Sequence, residues 1–418
     1  MKIYTKLILL TLTIALGVTI WLVTSWQNGQ VDKIIAMMDV DKNGVLQTEE
    51  ASPLMRLRFS ELDSDGDGSM GRSEIAAYIR FSMFNVILRK WRARGLPVYP
   101  DNVQRESLQA ALDEMVEVLE LPGAVMLVGR NGVERIRVTS GDFDANTVVP
   151  VASASKWVSS AVLMRLVELG VLTLEAPLNS YIPELAGHWA DTTLRQLLSH
   201  SSGAGPGHAI ENPPGMSYRE HFERLIQIPV NNEPGVEFSY GGISMQIAGY
   251  VAEQASGRRW SQLFDELVAT PSGMAQSAYG HPFWHSPGTE IHSPNLAGGL
   301  YASGQDYFNF LTALSLDGME RRLLAEDSIV QMESDQTSTL VQNMRGPIPP
   351  DWFYGLGLWC ESPLAGSCTQ VNSAGAFGTF PWIDRESGTY GVLVTLGSIS
   401  EILPFALNLR RLAIELER

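Results

Sequence analysis

The chain has 418 residues, 45% hydrophobic and 18% charged, which is enough apolar material for one large globular domain with smaller accessories and argues against large-scale disorder. Its formal net charge of −16 excludes a nucleic-acid footprint, because phosphate binding needs clustered Lys and Arg. No nucleic-acid partner is expected.

The N-terminus predicts export. Lys2 and Lys6 precede an uncharged stretch from Leu7 to Trp26, which as a helix would reach roughly 30 Å, the thickness of a bilayer core. Basic residues before the span and an uncharged flank after it, Gln27 to Val31, leave the N-terminus cytoplasmic and the rest outside. The expectation is a transmembrane signal anchor over residues 1–30, with the membrane as a partner through that helix and the catalytic part periplasmic if the cell is Gram-negative. A cleaved signal peptide ending near Ala15-Leu16-Gly17 is the rival reading, and it leads to export as well. The only cysteines, Cys360 and Cys368, flank Pro363 and Gly366; that spacing allows a disulfide across a turn, with two buried thiols as the alternative.

Residues 31–95 carry two acidic loops. An EF-hand loop needs side-chain oxygens at its first, third and fifth positions, Gly at the sixth, a backbone carbonyl at the seventh and Glu at the twelfth. Asp39, Asp41, Asn43, Gly44, Val45 and Glu50 meet these needs, and Asp63, Asp65, Asp67, Gly68, Ser69 and Glu74 meet them again. Leu46 and Met70 take the eighth positions, where paired loops join through a short strand. The first aspartates are 24 residues apart, so the intervening helices, near Thr48 to Leu62 with Pro53 inside, are short. Solvated acidic loops are the alternative. The expectation is two structural calcium (Ca2+) sites, filled where calcium is abundant, with no cofactor for catalysis. From Ser73 to Arg94 the sequence reads as a long exit helix closed by Arg89, Lys90, Arg92 and Arg94 and stopped by Gly95 and Pro97. Its apolar face suits packing on a neighbouring domain better than lying on a membrane surface.

Residues 96–418 have a different texture. An amphipathic helix, Ser107 to Leu121, leads into a strand from Ala124 to Val128, a turn at Arg130-Asn131-Gly132 and a second strand through Val138. Then Val149-Pro150-Val151-Ala152-Ser153-Ala154-Ser155-Lys156-Trp157 runs into a helical pattern, Ala161 to Leu169. On a helix Ser153 and Lys156 share a face, so the amine reaches the hydroxyl while Ser155 does not. A lysine amine taken out of water is a usable base for a serine nucleophile. A lone S-x-x-K string also occurs at ordinary capped helix starts, so its context matters.

That context resembles the superfamily of serine β-lactamases, penicillin-binding proteins and family VIII esterases, in its class C-like branch, from about Ser107 to Leu412. Ser153-Ala-Ser-Lys156 matches the nucleophile motif, Leu197-Leu198-Ser199-His200-Ser201-Ser202-Gly203 a structural stretch, and Pro234-Gly235-Val-Glu-Phe238-Ser-Tyr240 the segment that delivers the second motif's tyrosine. Ala297-Gly298-Gly299-Leu300-Tyr301-Ala302-Ser303 matches another family segment, and Gly375-Ala376-Phe377-Gly378 falls at the third motif. The resemblance implies an α/β (α+β) fold, an antiparallel sheet flanked by helices plus a helical lobe around Val162 to Leu267, with the active site between them. It also implies Ser153 as nucleophile, Lys156 and Tyr240 as proton carriers, and an oxyanion hole from the amides of Ser153 and of the third-motif strand near Ala376. Gly242, Ser373, Gly375 and Ala376 would line the substrate site, and His200 braces the fold.

Two departures narrow the expected substrate. Tyr240-Gly241-Gly242 lacks the motif's asparagine, and Ser373-Ala374-Gly375 stands where a cation-bearing triplet would receive a substrate carboxylate. An extracytoplasmic esterase-like hydrolase of small-molecule or peptide-like acyl substrates is therefore expected. The alternatives are β-lactamase or DD-peptidase activity, an inactive binding module, and a calcium-dependent interaction protein. The chain contains no G-x-S-x-G elbow and no H-E-x-x-H zinc motif, and His281, His285 and His292 sit among helix breakers and read as a loop.

Overall fold

The computed structural model describes residues 27–32, 34–36, 38–39, 41–51, 53–56, 59–79, 105–205, 215–280, 291–315, 322–343, 348–361, 363–364 and 367–418. Residues 1–26 of the expected anchor, most of the exit helix, His281 and His285 lie outside these residues. No helix among the described residues is long and apolar enough to cross a membrane. The chain forms two compact units, Met1–Trp91 and Arg92–Arg418.

In the first unit, short helices at Pro53–Arg56 and Phe59–Leu62 separate two loops. Strands β1 (Leu46–Gln47) and β2 (Ser69–Met70) pair antiparallel, Leu46 opposite Met70. Both of these side chains are fully buried, as are Ile75 and Ala51, so the loops are joined by apolar contact at the eighth positions.

The second unit opens with helix α1 (Arg105–Val118). Leu108, Leu112 and Met115 recur on one face and are buried, the spacing of a helix laid on a sheet. Strands β3 (Gly123–Arg130) and β4 (Val133–Gly141) form a hairpin. Asn131 and Gly132 take φ of 53° and 75° at its turn, the two positive values that a tight hairpin requires. Strand β5 (Val148–Pro150) leads to the long helix α2 (Ser155–Glu168). The lobe that follows holds α3 (Leu194–Leu198), α4 (Tyr218–Leu225), β6 (Glu237–Phe238), α5 (Ile243–Ser256) and α6 (Trp260–Phe264). Next come β7 (Ala278–Tyr279), β8 (Leu300–Ser303) and α7 (Gly304–Ser315).

The chain then returns to the sheet through β9 (Phe353–Tyr354), β10 (Trp359–Cys360), β11 (Gln370–Asn372), β12 (Phe380–Asp384) and β13 (Thr389–Thr395), and ends in α8 (Ile399–Glu417). The seven-stranded sheet has the order β9-β10-β11-β12-β13-β3-β4, with every neighbouring pair antiparallel. Along β13 every residue is buried, because α8 covers one face and α7 the other. This explains why the central strands read as continuous apolar runs rather than alternating ones. The main core lies between the sheet and helices α1 and α8, around Met126, Trp382, Leu393, Ile402 and Leu409. Cys360 and Cys368 are joined in a disulfide, with Cα atoms 5.3 Å apart.

Candidate active site

Ser153 sits in a 3-10 turn, Ala152–Ala154, between β5 and α2. The expected regular helix starts only at Ser155, because the chain must turn sharply out of the strand. Ala152 takes a φ of 47°, a left-handed conformation that costs an alanine about 1–2 kcal/mol. Hydrogen bonds hold the turn: the Ser155 hydroxyl donates to the Ala152 carbonyl at 2.6 Å and accepts from the Leu300 amide at 3.0 Å. The Val151 amide reaches the Leu300 carbonyl at 2.9 Å. Ser155 is therefore the brace of the turn.

The Lys156 amine donates to Ser153 Oγ at 3.1 Å and to the Ala297 carbonyl at 2.8 Å. Its side chain is 3% exposed, and no carboxylate pairs with it among the described residues. The amine is thus within reach of the serine hydroxyl proton. Its nitrogen lies 4.6 Å from the centre of the Tyr240 ring. The structure thus brings Ser153, Lys156 and Tyr240 together, with Tyr240 presenting its ring face to the amine; among the described residues the Tyr240 hydroxyl makes no hydrogen bond.

Tyr240 follows β6 and is packed among His200, Trp359 and Tyr354, with ring centres 4.8, 5.2 and 5.6 Å away. His200 is buried and both its ring nitrogens lack hydrogen-bond partners among the described residues. Burial, helped by the charge of Lys156, holds His200 well below the ordinary histidine range. It is a neutral wedge behind Tyr240, in keeping with a bracing role. Burial likewise pushes the Tyr354 hydroxyl well above its ordinary value, with Tyr240 adding to the effect.

The third motif occupies a tight turn between β11 and β12, whereas the sequence suggested a strand. The Gly375 amide bonds the Thr379 carbonyl at 2.8 Å, the Gly378 amide bonds the Gly375 carbonyl at 2.9 Å, and Gly378 has a φ of 104°. A side chain at Gly375 would run into the Val151 carbonyl, so glycine lets this turn close on the segment carrying the nucleophile. The Ser373 hydroxyl donates to the Ser153 carbonyl at 3.2 Å. Ala376 is exposed, and its amide donates to no hydrogen bond among the described residues. Gly242 is the cap residue of α5 and offers no side chain.

Elsewhere, the carboxylates of Asp39, Asp41 and Glu50 converge within 4.8 Å of one another, as do those of Asp63, Asp65 and Asp67. Loop amides fold onto them: Gly44 donates to Asp39 at 2.8 Å and Gly68 to Asp63 at 2.9 Å. Glu74 accepts from the Gly71 amide at 2.8 Å and from the Ser64 amide at 2.6 Å, and stands outside the second cluster. Oxygen-only, acidic donor sets of this kind fit a hard cation. His292 is described, while His281 and His285 of the expected histidine loop lie outside the described residues.

Sequence reasoning had no signal for the Ala297 carbonyl, Tyr354 or Trp359 as parts of the site. The strands carrying the two aromatics are two residues long, and a backbone acceptor leaves no trace in residue type.

Residues 108–404 match the model of the beta-lactamase family. Esterase EstB of Burkholderia gladioli is 29% identical over 199 residues, 41% of this chain and 50% of that protein. The D-alanyl-D-alanine-carboxypeptidase/endopeptidase AmpH of Escherichia coli K12 is 27% identical over 143 residues, 32% of this chain and 37% of its own. The match thus spans about half the length of EstB and just over a third of AmpH. A crystal structure of a candidate beta-lactamase from Bacteroides dorei DSM 17855 superposes with a TM-score of 0.63 at 29% identity, covering 71% of this chain and 92% of that one. With most of the second unit matched and a serine and a lysine in contact where the nucleophile motif falls, the chain belongs to the beta-lactamase family of serine hydrolases.

Proposed function

We propose that the chain is an extracytoplasmic, acyl-enzyme-forming hydrolase of ester or amide substrates that lack a recognition carboxylate. The observation that carries this reading is the 3.1 Å contact between the buried Lys156 amine and Ser153 Oγ. In the proposed reaction Ser153 Oγ attacks the substrate carbonyl while its proton passes to Lys156. The amides of Ser153 and Ala376 receive the developing oxyanion. The tetrahedral adduct collapses as the leaving group takes a proton relayed through Lys156 and Tyr240. Water then attacks the acyl-Ser153 ester, giving a proton to the same pair, which passes it to Ser153 Oγ as the C–Oγ bond breaks and the acid is released.

Substrate choice follows from the groups that face the nucleophile. Ser373 spends its hydroxyl on the Ser153 carbonyl and brings no cation, and Gly242 brings no side-chain amide. The similarity to EstB supports an esterase, while that to AmpH makes peptide-bond cleavage the competing outcome. The Cys360–Cys368 disulfide and the apolar Leu7 to Trp26 stretch support an envelope location, with a single-pass anchor ahead of the catalytic domain. In the first unit, Asp39, Asp41, Asn43, Glu50 and the Val45 carbonyl would hold one Ca2+ ion, and Asp63, Asp65, Asp67, Glu74 and the Ser69 carbonyl a second. Both would stabilise that unit and take no part in the chemistry.

The test compares the parent protein with Ser153→Ala and Lys156→Ala, using a fluorophosphonate, a short-chain p-nitrophenyl ester and a fluorescent penicillin. Ser153→Ala should lose all labelling and turnover, and Lys156→Ala should lose turnover by about 10³-fold or more. Ester turnover with little penicillin labelling supports the esterase. A parent that neither labels nor turns over rejects the proposal in favour of a binding module.

A further inference from the structure

A cavity of about 560 Å³ opens between the start of α4, the end of α5, α6 and β7, and none of Ser153, Lys156 or Tyr240 lines it. Its walls include Tyr218, Tyr250, Trp260, Phe264 and Tyr279. The hydroxyls of two of these are committed within the protein: Tyr218 donates to the Gln246 carbonyl at 2.9 Å, and Tyr279 shares a 2.6 Å hydrogen bond with Ser159. The rings of Trp260 and Phe264 meet Tyr279 edge-on, with centres 5.7 and 5.1 Å apart. What these side chains offer an occupant is therefore aromatic surface.

Among them stands Glu253. One of its oxygens accepts the Trp260 amide at 2.6 Å, and the other has no hydrogen-bond or ion-pair partner among the described residues. Asp265 also lines the cavity. Arg219, Arg259 and His292 line the cavity as well; Arg219 lies 4.0 and 3.8 Å from Glu184 and Glu223, and Arg259 acts on Glu253. Burial raises Glu253 to about 6 in spite of Arg259, and burial raises Asp265 as well, so neither carboxylate is fully compensated. At about 6, Glu253 is mostly ionised at neutral pH.

We propose that this cavity is a second ligand site, distinct from the catalytic serine, and that it takes a small organic ammonium compound with an apolar or aromatic body. The charged head would sit against Glu253 and the body against the rings, combining ion pairing with cation–π attraction. The buried indole N–H of Trp260, which has no partner among the described residues, would further favour a ligand with a hydrogen-bond acceptor beside its cation. Tyr279 links the site to the catalytic helix, because its hydroxyl also donates to the Ser155 carbonyl at 3.2 Å.

The test is calorimetric titration of the full chain with benzyltrimethylammonium, beside benzyl alcohol and benzoate as neutral and anionic probes of similar size. The proposal expects a Kd on the order of 1 mM or tighter for the ammonium, at least about tenfold tighter than for either comparator. Glu253→Gln should weaken it about tenfold. Ser261→Trp, at an exposed lining position, should block it by filling the cavity without removing a core contact. Parent-like fluorophosphonate labelling of both variants shows that they are folded. Absence of binding up to about 10 mM, equal binding of benzoate or benzyl alcohol, or undiminished affinity in the Ser261→Trp protein would overturn the proposal.

Discussion

At the scale of single residues, the chemistry was legible wherever it rests on side-chain type and short spacing. Ser153 and Lys156 three apart predict contact, and the contact is there at 3.1 Å. The strained Ala152, the Ala297 carbonyl and the ring-first approach of Tyr240 were not legible, because each depends on backbone brought from far along the chain. Buried histidines belong to this second kind. His221 is 1% exposed, with Nδ1 2.8 Å from the Ser293 hydroxyl and Nε2 unpartnered. Burial, aided by Arg224, lowers it to about 4. In the unfolded chain it would titrate near the ordinary value of about 6.5. The folded state thus refuses a proton that the unfolded state accepts, so the stability held above pH 6.5 or so is lost as pH falls toward 4. The loss is at most about 1.4 kcal/mol per pH unit, roughly 2 kcal/mol between pH 6.5 and 5. In His221→Gln, which can still bond Ser293, the unfolding free energy measured in urea at pH 7 and at pH 5 should differ by correspondingly less than in the parent. An unchanged difference would show that this ring does not set the acid sensitivity. His200, held down in the same direction, should leave part of the slope in place.

At the scale of elements, the helix over Ser107 to Leu121 and the Asn131-Gly132 hairpin were readable because their periodicity and turn chemistry are local. The third-motif turn was not, since its shape is set by partners. Asn372 donates to Glu361 at 2.8 Å and accepts the Ala374 amide at 3.2 Å. Glu361 in turn is held by both terminal guanidinium nitrogens of Arg410, one at 2.8 Å, in a buried ion pair. The last helix thereby fixes the start of the turn that carries Ser373 and Ala376. Glu361 directly follows Cys360, so the disulfide anchors the strand end on which this network hangs. Closing so short a loop stabilises by roughly 2–3 kcal/mol through the entropy of the unfolded chain. Replacing both cysteines by alanine should therefore lower the melting temperature of the catalytic unit by about 2–4 °C per kcal/mol lost. Scanning calorimetry of the double variant checks this, and a melting temperature equal to that of the parent would mean that the crosslink carries no stability.

At the scale of the whole molecule, the chain falls into two units, Met1–Trp91 and Arg92–Arg418. The two units differ in what stabilises them. The second buries a large continuous core between sheet and helices. The first is built of short helical segments and a two-residue strand pair, with two groups of three carboxylates in its loops. Like charges brought this close repel, so a unit so small gains little stability from burial alone. Under the proposed calcium reading, a cation that binds the folded loops and not the unfolded chain would add RT ln(1 + [L]/Kd), about 2.7 kcal/mol per site at a hundredfold excess over Kd. Thermal unfolding of the protein should then show two transitions. Millimolar Ca2+ should raise that of the first unit by several degrees and chelation should lower it, while the second transition and ester turnover stay in place. Asp39→Asn together with Asp63→Asn should remove the calcium response and leave the second transition unmoved. If the melting profile is the same with calcium and with chelator, the loops are solvated acidic turns, and the stability of the first unit must come from Leu46, Met70 and the buried residues around them.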